Sequence, residues 1–416
     1  MTSPGSPVTV IGAGIIGLCC ARWLQRDGHD VTVIDPVAPG ESCSYGNAGI
    51  ISKSSVTPLA MPGIIAKVPG WLLDPLGPLA VRWRYLPRAA PWLLRLLAAS
   101  RRSRVNAIAE ALGALNAPSV DAYEELLGVA AFADLVRCDG VIYAYETVAA
   151  LEADAEAWSM RKAHGVHFER IDGPALREIE PALNPDIPCA MYIPNTAHTV
   201  NPLRVVKTLA ERFLGDGGTI VENRVERIDC GPQGPRILHL DGGATHPVEA
   251  LVVAAGAWSH RISGPLGSKP PLEAERGYHV TIAGSGITLK RPVSLAGRGF
   301  YATSMEAGLR IAGTVEIGGL DAPPDYRRAR VLLDHGRFLF PGLRDGAVSQ
   351  WMGCRPSLPD SLPVIGRSPH FERLYYAFGH GHLGLTEGAI TGKLIAELVA
   401  GKPTSIDIDP YRIDRF

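Results

Sequence analysis

Residues 8–36, VTVIGAGIIGLCCARWLQRDGHDVTVIDP, constrain the fold more than any other stretch of the chain. Val8, Val10 and Ile11 belong to a short apolar strand, and Gly12, Gly14 and Gly17 follow as G-x-G-x-x-G. Leu18, Ala21 and Leu24 recur on one helical face, Gly28 ends the helix, and DVTVID is a second strand finishing on Asp35. Strand, glycine turn, helix and terminal acid in that order make a βαβ unit for a dinucleotide. The first glycine permits a tight turn, the second lets backbone approach a pyrophosphate, and the third lets helix and strand pack closely. The pyrophosphate meets the free N–H groups and positive dipole end of the helix. Asp35, 18 residues after Gly17, stands where ribose hydroxyls need an acceptor. The unit alone leaves NAD and FAD open. The next segment, ESCSYGNAGIIS (41–52), is small, polar and glycine-bearing, which suits a loop laid against a larger, flat ligand.

A chain of 416 residues allows two or three domains. Its formal charge of −1 carries no whole-molecule basic field for nucleic acid. The 46 Gly and 34 Pro imply many turns, while 46% apolar residues keep the chain globular. The seven cysteines are scattered and form no CxxC pair, so they read as mostly buried thiols in a reducing compartment, not as a disulfide framework or zinc site. MTSPGSP has neither basic region nor apolar signal core, and no run of 18 apolar residues exists to span a bilayer. The expected location is cytoplasmic.

Residues 58–104 form an apolar block broken by prolines, with Trp71, Trp83 and Trp92. Lys67 and Arg82, Arg84, Arg88, Arg95, Arg101, Arg102 and Arg104 face a single acid, Asp74. This reads either as a helical subdomain with a solvated basic rim or as an interfacial element resting on the inner face of the cytoplasmic membrane. Residues 105–165 are largely helical, interrupted near CDGVIYAYE, and GVHFERID and AMYIPN are further strands. At HTVNPLRVVKTLAERFLGDGG, Asn201 caps a helix with Pro202 at its first position. Leu203, Val206, Ala210 and Phe213 make its apolar stripe, and Gly215 stops it. TIVENRVERID follows as one strand and PVEALVVAAGAWSHRI as another, buried one, returning the chain to its nucleotide domain. Residues 268–349 are mainly strand-like; YYAFGHGHLGLTEGAITGKLIAELVAG then closes the protein as strand, glycine loop and helix.

The glycine loop with Asp35, CSYGNAG, VNP opening a helix, VVAAGAWS, ERGYH, GCRPSLPDSLPVIG, GHGHLGLTEGAITG and the YRIDRF tail together resemble the D-amino-acid oxidase superfamily of flavoproteins. The bacterial D-amino-acid dehydrogenase branch is the nearest in pattern, over nearly the whole chain and in the same motif order. The resemblance implies FAD, and an α/β fold: a Rossmann-type FAD-binding domain plus an α+β substrate domain with a mainly antiparallel sheet. It places the FAD domain at 1–57, 198–264 and 350–416, and the substrate domain at 58–197 and 265–349. It also implies hydride transfer from the carbon bearing an amine to flavin N5. The implied substrate is a small amino or imino acid, a D-amino acid or a hydroxy-D-proline, and a quinone or other carrier takes the electrons. An oxygen-using oxidase, and a flavin-binding subunit of a larger complex, are the alternatives. Cys354 is one residue off the spacing of family members that attach flavin covalently, so non-covalent FAD is expected.

By the same resemblance, Arg355 of the G-x-R-P segment grips the substrate carboxylate. A planar guanidinium does this bidentately and stays charged, which a water-poor flavin pocket requires. Tyr278 and His279 of ERGYH are expected to line that pocket, Arg276 is a weaker anion contact, and Asp360 supports its turn. Hydride transfer needs a neutral amine, but no obligatory base is visible. The cofactor contacts implied are Gly12, Gly14, Ile15, Ile16, Gly17 and Asp35; Ser42, Ser44, Tyr45, Asn47, Ala48, Gly49 and Ile50; Val225; Ala255, Gly256 and Trp258; and Gly353. The last glycine loop adds Gly379, His380, Gly381, His382, Leu383, Gly384, Leu385 and Thr386, with His380 at the edge of the ring. His380 and His382 have no acid or cysteine at ligand spacing, so no metal is assigned to them.

Overall fold

The computed structural model describes residues 5–62, 76–77 and 79–416. One six-stranded sheet runs in the order Thr219–Glu222, Asp30–Asp35, Pro7–Ile11, Ala250–Val253, Leu374–Phe378, Val364–Arg367. All but the last pairing are parallel. Ala250–Val253 and Leu374–Phe378 are buried at every residue, as strands covered on both faces must be. On one face the helix Ile15–Arg26 lies against the helix Gly384–Val399. A Cβ at Gly392 would come within 2.6 Å of the Cys19 backbone, so glycine sets how closely these helices cross.

The helices Arg102–Asn116 and Ser119–Leu127, expected with the substrate domain, join this face instead. Ile108, Leu112 and Tyr123 share one core with Leu18 and Ile390, and the Tyr123 hydroxyl donates to the Leu385 carbonyl at 2.6 Å. The boundary drawn at residue 58 by the proline-rich block therefore misplaces the helices that follow it. The helix Pro202–Gly215 is capped as expected: the Asn201 side chain accepts from the N–H groups of Leu203 and Arg204. It runs through Gly215 and ends at Asp216, with Gly217 at φ +90. TIVENRVERID is two strands, Thr219–Glu222 in the large sheet and Val225–Gly231 in a separate three-stranded one.

The second sheet has nine strands and is mainly antiparallel. Ala347–Ser357, assigned from sequence to the FAD domain from residue 350 on, pairs along its whole length with Glu273–Ala283. The arginine segment thus belongs to the second sheet. Next to these come Gly308–Ile317, Phe300–Met305, Val293–Leu295 and Val141–Tyr145. The helix Arg327–Leu339, within the stretch read as strand-like, covers the far face; its Ala329, Leu332 and Leu339 pack with Val280, Ile282 and Ile311. The near face is turned toward the glycine turn of the first sheet, and the site lies between.

Part of the 58–104 block is core. Ala89, Trp92 and Leu96 pack with Ile317, and Trp92 Nε1 donates to the Ser357 carbonyl at 3.3 Å. Trp83 and Leu94 are 66% and 67% exposed. Lys67, Trp71 and Asp74 lie outside the described residues. Among the described residues no helix is long and apolar enough to cross a membrane. No cysteine there is disulfide-bonded; Cys19, Cys20, Cys189 and Cys354 are buried, while Cys138 and Cys230 are exposed.

Candidate active site

Gly12 has φ +118, and a Cβ there would sit 2.3 Å from the Ala254 carbonyl oxygen. A Cβ on Gly17 would sit 1.8 Å from the Gly12 carbonyl oxygen. Only glycine lets the strand end, the helix start and Ala254 approach this closely. The first helical N–H, of Ile15, donates to Ser44 Oγ at 2.9 Å, which ties the loop 41–49 to the helix N-terminus. Asp35 accepts from the backbone N–H groups of Ala13 at 2.7 Å and Val37 at 2.9 Å. Burial raises its pKa, and these two donors oppose the shift. Asp35 therefore holds the glycine turn in shape as well as ending at the cavity.

A cavity of about 880 Å³ runs from this turn to the second sheet. It is lined by Gly12, Gly14, Ile15, Ile16, Asp35, Ser42, Ser44, Asn47, Ala48, Ile50, Val225, Ala255, Gly256 and Trp258 at one end and along its side. Gly353, Arg355, His380, Gly381, His382, Leu383, Gly384, Leu385 and Thr386 complete the wall. Gly17, Tyr45, Gly49, Gly379 and His279 do not line it. Gly17 faces the Gly12 carbonyl, Gly49 is a turn residue at φ +79 bonded to Asn47 Oδ1, and Gly379 at φ +87 packs on Leu358.

The floor of the cavity is set by strand register. Tyr143, Ser294, Tyr301, Ala312, His279 and Trp351 stand directly opposite one another across six strands, so they share one face of the sheet. Two residues along, Thr303, Arg310 and Thr281 form a parallel row. This second row clamps the loop from beneath. Arg310 Nη1 donates to the carbonyls of Tyr45 (2.8 Å) and Asn47 (3.0 Å), and Thr303 Oγ1 to that of Ala48 (2.9 Å). Neither Arg310 nor Trp351 stands in a recognisable motif; a strand-by-strand alternation count would have placed both on the loop side.

Tyr278 lies on the opposite face, a consequence of the two-residue period. Its ring belongs to the core under the helix Arg327–Leu339, and its hydroxyl donates to Glu316 Oε2 at 2.6 Å. Burial and that carboxylate push its pKa up to about 12. The phenol expected to meet substrate is committed to a buried network. Arg276 is there too, fully buried and paired with Glu316 at 3.0 Å. Three tyrosines border the cavity, Tyr143, Tyr278 and Tyr301; the Tyr278 hydroxyl is engaged by Glu316, while that of Tyr301 donates to Tyr143 at 3.0 Å.

His279 faces the loop but is covered by it. Its Nδ1 bonds the Gly46 carbonyl at 2.9 Å and its ring stacks on Trp351 at 5.1 Å. Burial, then the Arg310 charge, lowers its pKa to about 3, so it is a neutral donor holding the loop. His380 is also buried, bonded to Thr391 Oγ1 at 3.0 Å, with its pKa lowered to about 3 by burial. His382 is the more exposed of the two histidines that border the cavity; burial from bulk water and the Arg355 charge bring its pKa down to about 4.

Arg355 occupies the end of the cavity beside His382. Its Nη1 donates to the Thr314 carbonyl at 3.1 Å. Burial lowers its pKa, against the attraction of Glu275 and Cys43. Glu275, opposite in register and 4% exposed, has its pKa raised by burial and held down by Arg355. Asp360 binds Arg415 at 2.8 Å and so anchors the C-terminal tail to the turn after this strand.

The glycine turn, the helix N-terminus and Asp35 at one end, with a flat sheet floor and a fixed guanidinium at the other, define a two-domain flavoprotein oxidoreductase. The chain belongs to the DAO family of FAD-dependent oxidoreductases, whose model matches residues 7–398. It is similar to a D-amino-acid oxidase of Bradyrhizobium diazoefficiens, at 38% identity covering 99% of each chain. A D-amino acid dehydrogenase of Paramagnetospirillum magneticum is 32% identical over 98% of each. Glycine oxidase from Geobacillus kaustophilus has the same fold, with a TM-score of 0.74 at 22% identity and 98% of each chain covered. The residues present fit FAD: Gly12, Gly14 and the helix N-terminus at Ile15 border the cavity and would receive the pyrophosphate, and Asp35, also at the cavity, would accept from the ribose.

Proposed function

We propose that the protein oxidises a small amino or imino acid, a D-amino acid foremost, and passes the electrons to a quinone or other carrier. The observation that carries this reading is the guanidinium of Arg355. It is held in an enclosed cavity, is bonded to a backbone carbonyl, and makes no salt bridge among the described residues; the acid that attracts it, Glu275, is itself pushed toward its neutral form by burial. A cation placed so calls for a carboxylate from outside the chain. Relatives named for D-amino acids, at 38% and 32% identity over nearly full length, support the stereochemistry.

Bound FAD supplies the acceptor for the hydride that leaves the substrate's alpha carbon. The chain's own residues bind and orient. Arg355 fixes the carboxylate, and with it the face of the alpha carbon presented to the cofactor. Tyr143 and Tyr301 give that end of the cavity a hydroxyl wall. His382, neutral at working pH, is too weak a base to take the ammonium proton, which goes to solvent; it accepts a hydrogen bond that orients the amine for oxidation. Hydrolysis of the released imine gives keto acid and ammonia. FAD is held without a covalent bond. Cys354 is a neutral thiol, its pKa pushed to about 11 by burial, and Cys43 Sγ donates to the Cys354 carbonyl at 3.0 Å, so neither offers a thiolate.

Anaerobic addition of D- and L-amino acids and cyclic imino acids to the yellow holoprotein is expected to bleach it with a D-amino acid or a D-imino acid. Failure to bleach with any of them unless partner proteins are added would support the subunit reading instead. The match to a D-amino-acid oxidase favours a second reading, oxygen as acceptor. An oxygen electrode separates the two: rapid peroxide formation ends the carrier reading.

The carrier reading goes with a membrane contact. Trp83, Arg84, Arg88, Leu94 and Arg95 are exposed together along 83–95, a stretch with no acid. Apolar anchors with a basic rim suit an anionic lipid surface. The protein is expected to co-sediment with vesicles containing anionic lipid in low salt and to be released by 0.5 M salt, about a 4 Å screening length. Equal binding to neutral vesicles, or none to either, would remove the contact.

A further inference from the structure

Two backbone features hold Arg355 in one pose. The first is Gly277. A Cβ there would lie 2.3 Å from Arg355 Nη2, 2.4 Å from Cζ and 2.7 Å from Nε, so the guanidinium rests flat on the glycine. The second is a bulge in the neighbouring strand. Arg276 pairs with Glu316 and Tyr278 with Gly313, so Gly277 alone faces both Thr314 and Val315. Thr314 has φ +57, a left-handed conformation that a β-branched residue adopts only when its surroundings force it. Its Oγ1 is buried without a partner, while its carbonyl is the acceptor for Arg355 Nη1. Bulges re-aim backbone groups beside active sites in this way.

We infer that Gly277 and the Thr314 carbonyl are the positioning residues of Arg355, stacking its plane and pinning one nitrogen so that the Nε–Nη2 edge faces a substrate carboxylate. Nε and Nη2 make no hydrogen bond within the described residues, so that edge is free for bidentate binding. The sheet does not need the glycine for its own sake. Gly277 has no positive φ, and what a methyl group would meet is the flexible end of Arg355, not backbone. Alanine there leaves the strand in place and moves the guanidinium.

The inference rests on the amino-acid reading, and the experiment separates the two. Benzoate, a simple carboxylate, is titrated into the FAD-loaded protein by flavin absorbance, beside melting temperature and FAD affinity. Gly277→Ala is expected to weaken benzoate at least tenfold with FAD affinity within twofold and melting within 2 °C. It is also expected to raise KM more than it lowers kcat. Thr314→Gly, which frees the backbone that presents the carbonyl, is expected to weaken benzoate, by less than Gly277→Ala does. In an Arg355→Lys background, where no planar group needs the seat, Gly277→Ala lowers kcat/KM less than twofold. Wild-type benzoate affinity in Gly277→Ala, or the same fold loss in both backgrounds, overturns the inference. Unchanged benzoate affinity in Thr314→Gly overturns the carbonyl's part in it. A wild-type protein that binds no carboxylate and bleaches with no amino acid fails earlier, at the substrate reading.

Discussion

Arg355→Met leaves FAD bound and raises the apparent KM for the amino acid by two to four orders of magnitude. Two charge-assisted hydrogen bonds at roughly 1.5–3 kcal/mol each are lost, and each 1.4 kcal/mol is a factor of ten. Methionine matches the aliphatic stem and brings no new polar group. The partner left behind does not unfold the sheet, because Glu275 is already pushed toward its neutral form by burial and simply takes up a proton. FAD stays because the glycine turn, Ser44 and Asp35 form the other end of the cavity. The loss falls mainly on KM, since the carboxylate is gripped alike before and during hydride transfer, and kcat falls only as far as the substrate loses its aim. Retained flavin absorbance with a KM within threefold of wild type would remove Arg355 from the site.

The cofactor end was legible in the sequence because its chemistry is local. Gly12, Gly14, Gly17 and Asp35 lie within one βαβ unit, and each is explained by backbone clearance at that spot. The substrate end depends on which face of a strand a residue takes, and that parity is set by pairing partners as far away as Tyr143 is from Ser294. ERGYH drew attention to Tyr278 and His279, but the Tyr278 hydroxyl is taken by Glu316 and His279 lies under the loop, while Glu275 and Gly277 of the same strand border the cavity. The glycine between them gave no hint that it seats an arginine 78 positions later. Arg310, Trp351, Tyr143 and Tyr301 sit in strands with no motif, and only the register lines them up. The GHGHLG loop was placed at the cavity, but its two histidines differ in role: His380 is buried and bonded to Thr391, while His382 is exposed. The helix Arg327–Leu339 was missed for another reason. Its many arginines dilute the apolar stripe of Ala329, Leu332 and Leu339.

Glu316→Gln destabilises the protein by about 3–5 kcal/mol, the usual consequence of stranding one partner of a buried ion pair. Glu316 is 5% exposed at its side chain and gathers three partners: the Arg276 charge, with Nη1 at 3.0 Å, and two donors, Arg82 Nε at 2.7 Å and the Tyr278 hydroxyl at 2.6 Å. An amide oxygen can still accept from Tyr278, but it offers no charge to Arg276. That guanidinium is wholly buried, bonded otherwise to the Ala322 carbonyl, and cannot turn to water. Arg82 loses the same partner at far lower cost, being 28% exposed at its side chain. The network sits on the far face of the sheet from the cavity, two residues along the strand from Thr314, so the damage is to stability before it is to chemistry. Urea unfolding of the FAD-free protein is the measurement, with Arg276→Met/Glu316→Leu as the decisive companion. Replacing both charges with apolar groups of similar size is expected to recover most of the loss, because the cost comes from the unpaired cation and not from the absent bridge. A double variant as unstable as Glu316→Gln, or a single variant within 1 kcal/mol of wild type, would show that Arg276 finds its compensation elsewhere.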